Sequence, residues 1–66
     1  MRMIVTSSTK LEDIRKTFPE IVYNIMTVTC IEDFLKMVRE KKQTFILYNN
    51  NGRLTAEKDK QTLGEL

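Results

Sequence analysis

The sequence has a single thiol, Cys30, and this is the side chain with the greatest intrinsic nucleophilicity. We predict that it lies at the first position of a helix, where the helix dipole favours the thiolate. A cysteine nucleophile needs a base and a redox cysteine needs a resolving thiol, but the chain has no histidine and no second cysteine. We therefore expect Cys30 to be a partly buried structural residue, and we expect no metal site.

Two pairs of adjacent acids, Glu12/Asp13 and Glu32/Asp33, are the candidates for carboxylate catalysis. Neighbouring side chains on a helix diverge by about 100°, so the two carboxylates of one pair do not converge on a substrate. Acids in the first turn of a helix do interact favourably with its dipole. We interpret both pairs as helix-start residues, and we expect neither a catalytic site nor enzymatic activity.

Hydroxyl side chains are concentrated in residues 6–10, Thr-Ser-Ser-Thr-Lys, at the place where phosphate-binding loops lie in α/β folds. Such a loop needs glycines so that its backbone can approach a phosphate closely, and this segment has none. Helix capping accounts for these residues, and no nucleotide or other cofactor is expected.

The elements that would position these residues are indicated by an internal repeat, which aligns residues 9–16 with residues 29–36. Thr9 and Thr29 each precede an acidic pair at the spacing of a capping box, so each is predicted to cap a helix. A β-branched residue lies shortly before each of them. The repeat therefore predicts two successive units of a strand followed by a helix.

The first helix should occupy about residues 10–18, because Pro19 disfavours helical geometry in the residue before it. The second should occupy about residues 30–42. It carries an apolar stripe at the spacing of a helix packed on a core. The residues of that stripe are Ile31, Phe34, Leu35 and Val38.

Three apolar runs are predicted to be strands: residues 3–5, residues 21–28 with Asn24 as a polar break, and residues 45–48. The runs are continuous rather than alternating, which is typical of strands covered on both faces. Residues 49–52, Asn-Asn-Asn-Gly, tolerate positive φ and should reverse the chain into a short strand at residues 53–56.

The predicted fold class is α/β, a β-α-β-α-β-β domain with a mixed four-stranded sheet and two helices over residues 1–56. Residues 57–66 are predicted to be a polar tail or a short C-terminal helix. If the first strand is central, the helices cover opposite faces of the sheet; if the strands add in sequence, both helices cover one face. The second arrangement leaves the other face open.

This element order resembles the glutaredoxin-type core of thioredoxin-like proteins over most of the chain. That family has a Cys-x-x-Cys motif after its first strand, where this sequence has Thr-Ser-Ser-Thr at residues 6–9. The family also has a cis-proline before the third strand, where this sequence has Gln43-Thr44. The resemblance therefore concerns the topology and implies no redox activity.

The composition is that of a small folded domain, because 41% of the residues are apolar and 30% are charged. A chain of 66 residues builds a thin core, and without a disulfide or metal site the remaining reinforcement is a partner subunit. The N-terminal apolar run is too short for a signal peptide or a membrane span, so we expect a cytoplasmic protein. A net charge of +2 is too small to attract nucleic acid by bulk charge.

Apolar strands that two helices do not fully cover favour a non-enzymatic protein-interaction module. We expect an apolar sheet face or edge to bind another protein or a second copy of the chain. Stand-alone domains of this size in bacteria and their phages include inhibitors, adaptors and regulators, and we predict this class. The residues predicted to contact the partner are Tyr23, Met26, Phe45 and Tyr48.

RNA or single-stranded DNA is the alternative partner. If the basic ends of both helices face the same way, they can contact phosphates while sheet aromatics stack on bases. Interleaved acids such as Glu40 are instead typical of ordinary solvated helices. The basic residues are Lys36, Arg39, Lys41 and Lys42 on the second helix, with Lys10, Arg15 and Lys16 on the first.

Overall fold

The computed structural model describes residues 2–58 and 61–66 of the chain. The elements are β1 (Arg2–Val5), α1 (Leu11–Thr17), α2 (Ile25–Lys41), β2 (Phe45–Asn50), β3 (Arg53–Lys58) and β4 (Gln61–Glu65). The strands pair antiparallel in the order β1-β2-β3-β4, which is also their order in the chain. The protein is thus a small α/β fold with two helices and a four-stranded sheet, as predicted.

The predicted β-α-β-α-β-β order is wrong at one place, because residues 21–28 form no strand. Residues 21–24 are a loop, and Ile25 already begins α2. The chain therefore runs forward along β1, back along α1, forward along α2 and back along β2, which makes β1 and β2 antiparallel. The predicted mixed sheet is consequently wrong, and the likeness to a glutaredoxin-type core, which depends on that order, is lost.

The side chain of Asn24 explains why α2 begins five residues before the predicted start. Asn24 Oδ1 accepts hydrogen bonds from the Thr27 backbone N–H at 2.8 Å and from the Thr27 hydroxyl at 3.0 Å. This is an N-cap, and it makes a helix of a β-branched run that would favour a strand. Val28 is half-buried and lies on the side of α2 that carries the buried Ile31 and Leu35, so packing also favours the helix.

The start of α1 also differs from the prediction. Thr9 does not cap the helix; its Oγ1 accepts a hydrogen bond from the Thr6 N–H at 2.9 Å and closes the turn after β1. The N-cap is Lys10, whose N–H donates to Asp13 Oδ2 at 3.0 Å. Thr29 lies inside α2, exposed. The repeated sequence pattern therefore marks two structurally different places.

Both helices lie on one face of the sheet, as in the second of the two arrangements considered. The helix-covered face carries the buried strand residues Val5, Phe45, Leu47, Leu54 and Ala56. They form one core with the buried stripe of α2 and with Ile14, Phe18 and Ile21. The opposite side, which we call the open face, carries Ile4, Ile46, Tyr48, Thr55 and Glu57, as the strand register requires.

The turn predicted at residues 49–52 is confirmed. Asn51 and Gly52 have φ values of 54° and 85°, the pair of positive angles of a two-residue hairpin loop, and Gly52 N–H donates to Asn49 Oδ1 at 2.9 Å. The expected tail or C-terminal helix is wrong, because Gln61–Glu65 is a strand paired with β3. The pairing register shifts between Ala56 and Glu57, where β4 has one extra residue, Leu63.

Candidate functional site

A groove runs between α2 and the β4 edge of the sheet, on the helix-covered side. It consists of two adjoining cavities of about 460 and 400 Å³, which share Cys30 and Leu66. Met26, Cys30 and Met37 line it from α2, and the other side and floor include Leu54, Leu63 and Leu66. We call this the α2–β4 groove.

The α2 side of the groove is a second stripe at helical spacing. Met26, Cys30, Asp33 and Met37 are separated by four, three and four residues, so they share one side of the helix. This side is next to the stripe that packs into the core. Of these four residues, Met26 alone was predicted from the sequence to contact a partner, because the spacing of the set becomes visible only when α2 begins at Ile25.

Exposed apolar side chains are concentrated at this groove. Among the described residues, the large apolar side chains that are exposed are Ile4, Val22, Ile25, Met26 and Leu63. Val22, Met26 and Leu63 line the groove with 72%, 77% and 53% of their surface accessible, and Ile25 adjoins Met26. Apolar surface concentrated in this way is typical of an interaction site.

The groove carries opposite charges at its two ends. Among the described lining residues, the charged one in the cavity near the start of α2 is Arg53, and the charged one in the cavity towards the C-terminal half of α2 is Asp33. The first turn of α2 contains no acidic residue, so its own side chains do not offset the positive end of the helix dipole. The apolar centre thus lies between a positive and a negative end.

The open face is a weaker candidate. Of the described residues on this face, the large apolar side chain that is strongly exposed is Ile4, at 66%, while Ile46 and Tyr48 are half-buried. The hydroxyl of Tyr48 lies 3.4 Å from Glu57 Oε1 and hydrogen-bonds to it. A carboxylate therefore lies beside the aromatic side chain of this face.

The four residues predicted to contact a partner do not share one surface. Met26 lines the α2–β4 groove, and Tyr48 lies on the open face on the other side of the sheet. Phe45 is 2% exposed and packs edge-on against Phe34 with ring centroids 5.6 Å apart. Its assignment to a partner surface is wrong, because the helices cover its side of β2.

The Tyr23 side chain makes hydrogen bonds and a ring contact within the fold. Its hydroxyl donates to the Phe18 carbonyl at 2.6 Å and lies 3.3 Å from the Ile14 carbonyl. It therefore supplies a hydrogen-bond donor to backbone carbonyl groups at the C-terminal end of α1. The Arg15 guanidinium lies over its ring, 5.1 Å from the centroid. Burial and the nearby Glu20 raise the pKa of the Tyr23 hydroxyl, against an opposing effect of Arg15.

The basic residues are also dispersed. Arg39 Nη2 donates to the Thr9 carbonyl at 3.2 Å, so the C-terminal end of α2 lies beside the beginning of α1. The basic ends of the two helices therefore point in opposite directions. Tyr48 lies on the far side of the sheet from both helices, so the basic helix end and this aromatic side chain cannot form one nucleic-acid surface.

Cys30 is the sixth residue of α2 and is exposed, so its predicted position at the helix start and its partial burial are both wrong. Within residues 2–58 and 61–66, no group of three His, Cys, Asp or Glu residues is placed to hold a metal ion. No helix in this part of the chain has the length and apolar character needed to cross a membrane.

Comparisons of the chain with protein-family models, with curated proteins and with solved structures find no match. The groove and its side chains are therefore the basis for a functional assignment.

Proposed function

We propose that this chain is a non-enzymatic protein-interaction module that binds a protein partner through the α2–β4 groove. The observation that supports this proposal is the concentration of exposed Val22, Met26 and Leu63 around one concave site. Side chains of this kind lose contact with water when an apolar partner surface covers them, and this loss favours the complex in proportion to the apolar area buried. The regulatory, cytoplasmic role predicted from the sequence belongs to this proposal.

The geometry favours a protein over RNA or single-stranded DNA. A nucleic-acid surface would need cations and exposed aromatics together, and here Lys41 and Tyr48 lie on opposite sides of the sheet. The acid Glu57 beside Tyr48 would also repel phosphates. The described residues that line the groove are mainly apolar, and the charged side chains among them are Arg53 and Asp33.

The test is capture of partners by the tagged protein and by two variants, with and without nuclease. Met26→Gln replaces an exposed groove residue with a polar one of similar length and helix propensity. Ile4→Thr is the matched control, because it changes a comparably exposed apolar residue on the open face. We expect protein capture that resists nuclease, survives Ile4→Thr and is lost with Met26→Gln. Loss with Ile4→Thr alone, or loss on nuclease treatment, would contradict the proposal.

A further inference from the structure

We infer that Asn51 is a site of spontaneous deamidation, and that the side chain of Asn49 controls the rate of this modification. Asparagine followed by glycine is the least hindered pair for the reaction, because glycine has no Cβ to keep its nitrogen away from the preceding side chain. Asn51 and Gly52 form the loop of the β2–β3 hairpin, and both are exposed. The inference goes beyond the proposed function, because it concerns the chemistry of the chain itself.

The reaction needs water as its only co-reactant. The backbone nitrogen of Gly52 attacks Cγ of Asn51, and the new N–C bond closes a five-membered succinimide ring while the Cγ–Nδ2 bond breaks. The side-chain nitrogen leaves as ammonia and takes up the proton that the Gly52 nitrogen loses. Water then opens the ring at one of its two carbonyl carbons, so the products are aspartate and isoaspartate.

The surroundings of Gly52 leave room for this attack. Among the described residues beyond its two chain neighbours, none has a heavy atom within 4 Å of the position that a Cβ would take at Gly52. Water therefore reaches the peptide bond between Asn51 and Gly52. Asn49 and Asn50 are each followed by another asparagine, whose Cβ hinders the same attack, so Asn51 is the reactive one of the three.

The amide of Asn49 opposes the reaction in the folded chain. Gly52 N–H donates to Asn49 Oδ1 at 2.9 Å, and the Gly52 nitrogen has to leave this acceptor and lose its proton before it attacks. Asn49 Nδ2 in turn donates to Glu20 Oε1, which keeps Oδ1 of the same amide directed at Gly52. Glu20 is therefore a positioning residue that acts through Asn49.

Deamidation changes both the hairpin and the adjoining groove. Gly52 and Arg53 line the cavity near the start of α2, so the new carboxylate of residue 51 arises next to the positive end of the α2–β4 groove. Isoaspartate also lengthens the main chain by one CH₂ group in a two-residue loop that joins the paired residues Asn50 and Arg53. We therefore expect the isoaspartate form to unfold more readily than the unchanged chain.

Mass spectrometry of the tryptic peptide of residues 43–53 measures the modification after incubation at mildly alkaline pH. Trypsin cleaves after Lys42 and Arg53, so this peptide contains all three asparagines of the turn. We expect deamidation at Asn51 that accelerates with rising pH, because the attacking nitrogen loses a proton, and that is faster in urea than in the folded chain. Asn51→Asp has no amide to lose, so it should show no change in mass, and it supplies the reference for the aspartate product.

The control by Asn49 is tested with variants that circular dichroism shows to be folded. Asn49→Ala should raise the rate about two- to tenfold, the factor that corresponds to loss of one hydrogen bond. Glu20→Ala should give a smaller rise, and none when it is added to Asn49→Ala, because Glu20 acts through Asn49. Glu20 is exposed, so its variant keeps the test decisive if Asn49→Ala does not fold.

Thr9→Ala is the matched control. It also removes a side-chain acceptor from a backbone N–H, that of Thr6, but it does so beyond the opposite end of β2. It should leave the rate at Asn51 unchanged. Equal acceleration by Thr9→Ala and Asn49→Ala, or equal rates in urea and in the folded chain, would overturn the control by Asn49. An unmodified Asn51 in the urea-unfolded chain would overturn the site itself.

Discussion

Helix α2 carries two apolar stripes at helical spacing, and the two stripes differ in burial. Ile31, Phe34, Leu35 and Val38 are buried against the sheet, whereas Met26, Cys30 and Met37 border the groove. The buried stripe is made of branched and aromatic side chains that fill a fixed space. The groove stripe is made of methionine and cysteine, whose flexible or small side chains adapt to an interface. This difference indicates that the buried stripe stabilises the fold, whereas the groove stripe remains available for association.

The largest effect is expected in the buried stripe. Phe34→Ala removes the ring that packs edge-on against Phe45 and should lower the free energy of unfolding by about 3–5 kcal/mol. A core of this size supplies little more than that in total, so the variant should be largely unfolded at 25 °C. Chemical denaturation followed by circular dichroism measures it, with Phe34→Leu as the control that retains most of the volume. A fully folded Phe34→Ala would refute the assignment of this stripe to the core.

A smaller effect is expected where α2 begins. Asn24→Ala removes the acceptor for Thr27 and should cost about 1 kcal/mol in unfolding free energy. The first turn that frays also carries Met26, so association should weaken too. Asn24→Asp keeps a capping oxygen and should behave like the unchanged chain. Equal stability of the alanine and aspartate variants would show that this cap does not define the start of α2.

Tyr23 gives a comparable or smaller effect with a pH signature. Tyr23→Phe removes the hydroxyl that binds the Phe18 carbonyl and should cost about 0.5–1.5 kcal/mol at neutral pH. Because the folded pKa lies above the ordinary value of 10.0, the contribution is present below pH 10.0 and is lost as the pH rises through the folded value. Denaturation from neutral to alkaline pH should therefore show a steeper loss in the unchanged chain than in Tyr23→Phe. Equal losses of unfolding free energy with pH in the two proteins would contradict this role of the Tyr23 hydroxyl.

The smallest effect on stability is expected in the groove stripe. Met26→Gln should change the unfolding free energy by less than about 0.5 kcal/mol, because the side chain is mostly exposed. Chemical denaturation measures this, and capture of the partner measures the accompanying loss of binding. A large destabilisation would mean that the two stripes do not differ as described.

The sequence predicted the elements whose signals are local. Residues 3–5, 45–48 and 53–56 lie within observed strands, the Asn-Gly turn is where it was expected, and all four residues of the stripe in α2 are buried. Pro19 correctly indicated the end of α1. These features depend on turn chemistry and periodicity over a few residues, which the chain displays directly.

The prediction from the sequence was wrong where the local preference for a strand competes with helix capping and tertiary packing. The run Ile25 to Thr29 is rich in β-branched residues, but the Asn24 cap and the partial burial of Val28 favour a helix there. Because of that single error, a mixed sheet was predicted in place of the antiparallel one. The groove stripe was not predicted either, because its spacing is visible only when Met26 and Cys30 belong to the same helix.

The most direct test of the account is the change in backbone amide chemical shifts by NMR when the captured partner is added. If the α2–β4 groove is the binding site, the amides around Met26, Cys30 and Met37 should shift while those of Ile4 and Ile46 on the open face stay unchanged. Shifts confined to Ile4 and Ile46, or no shift on addition of the partner, would contradict it.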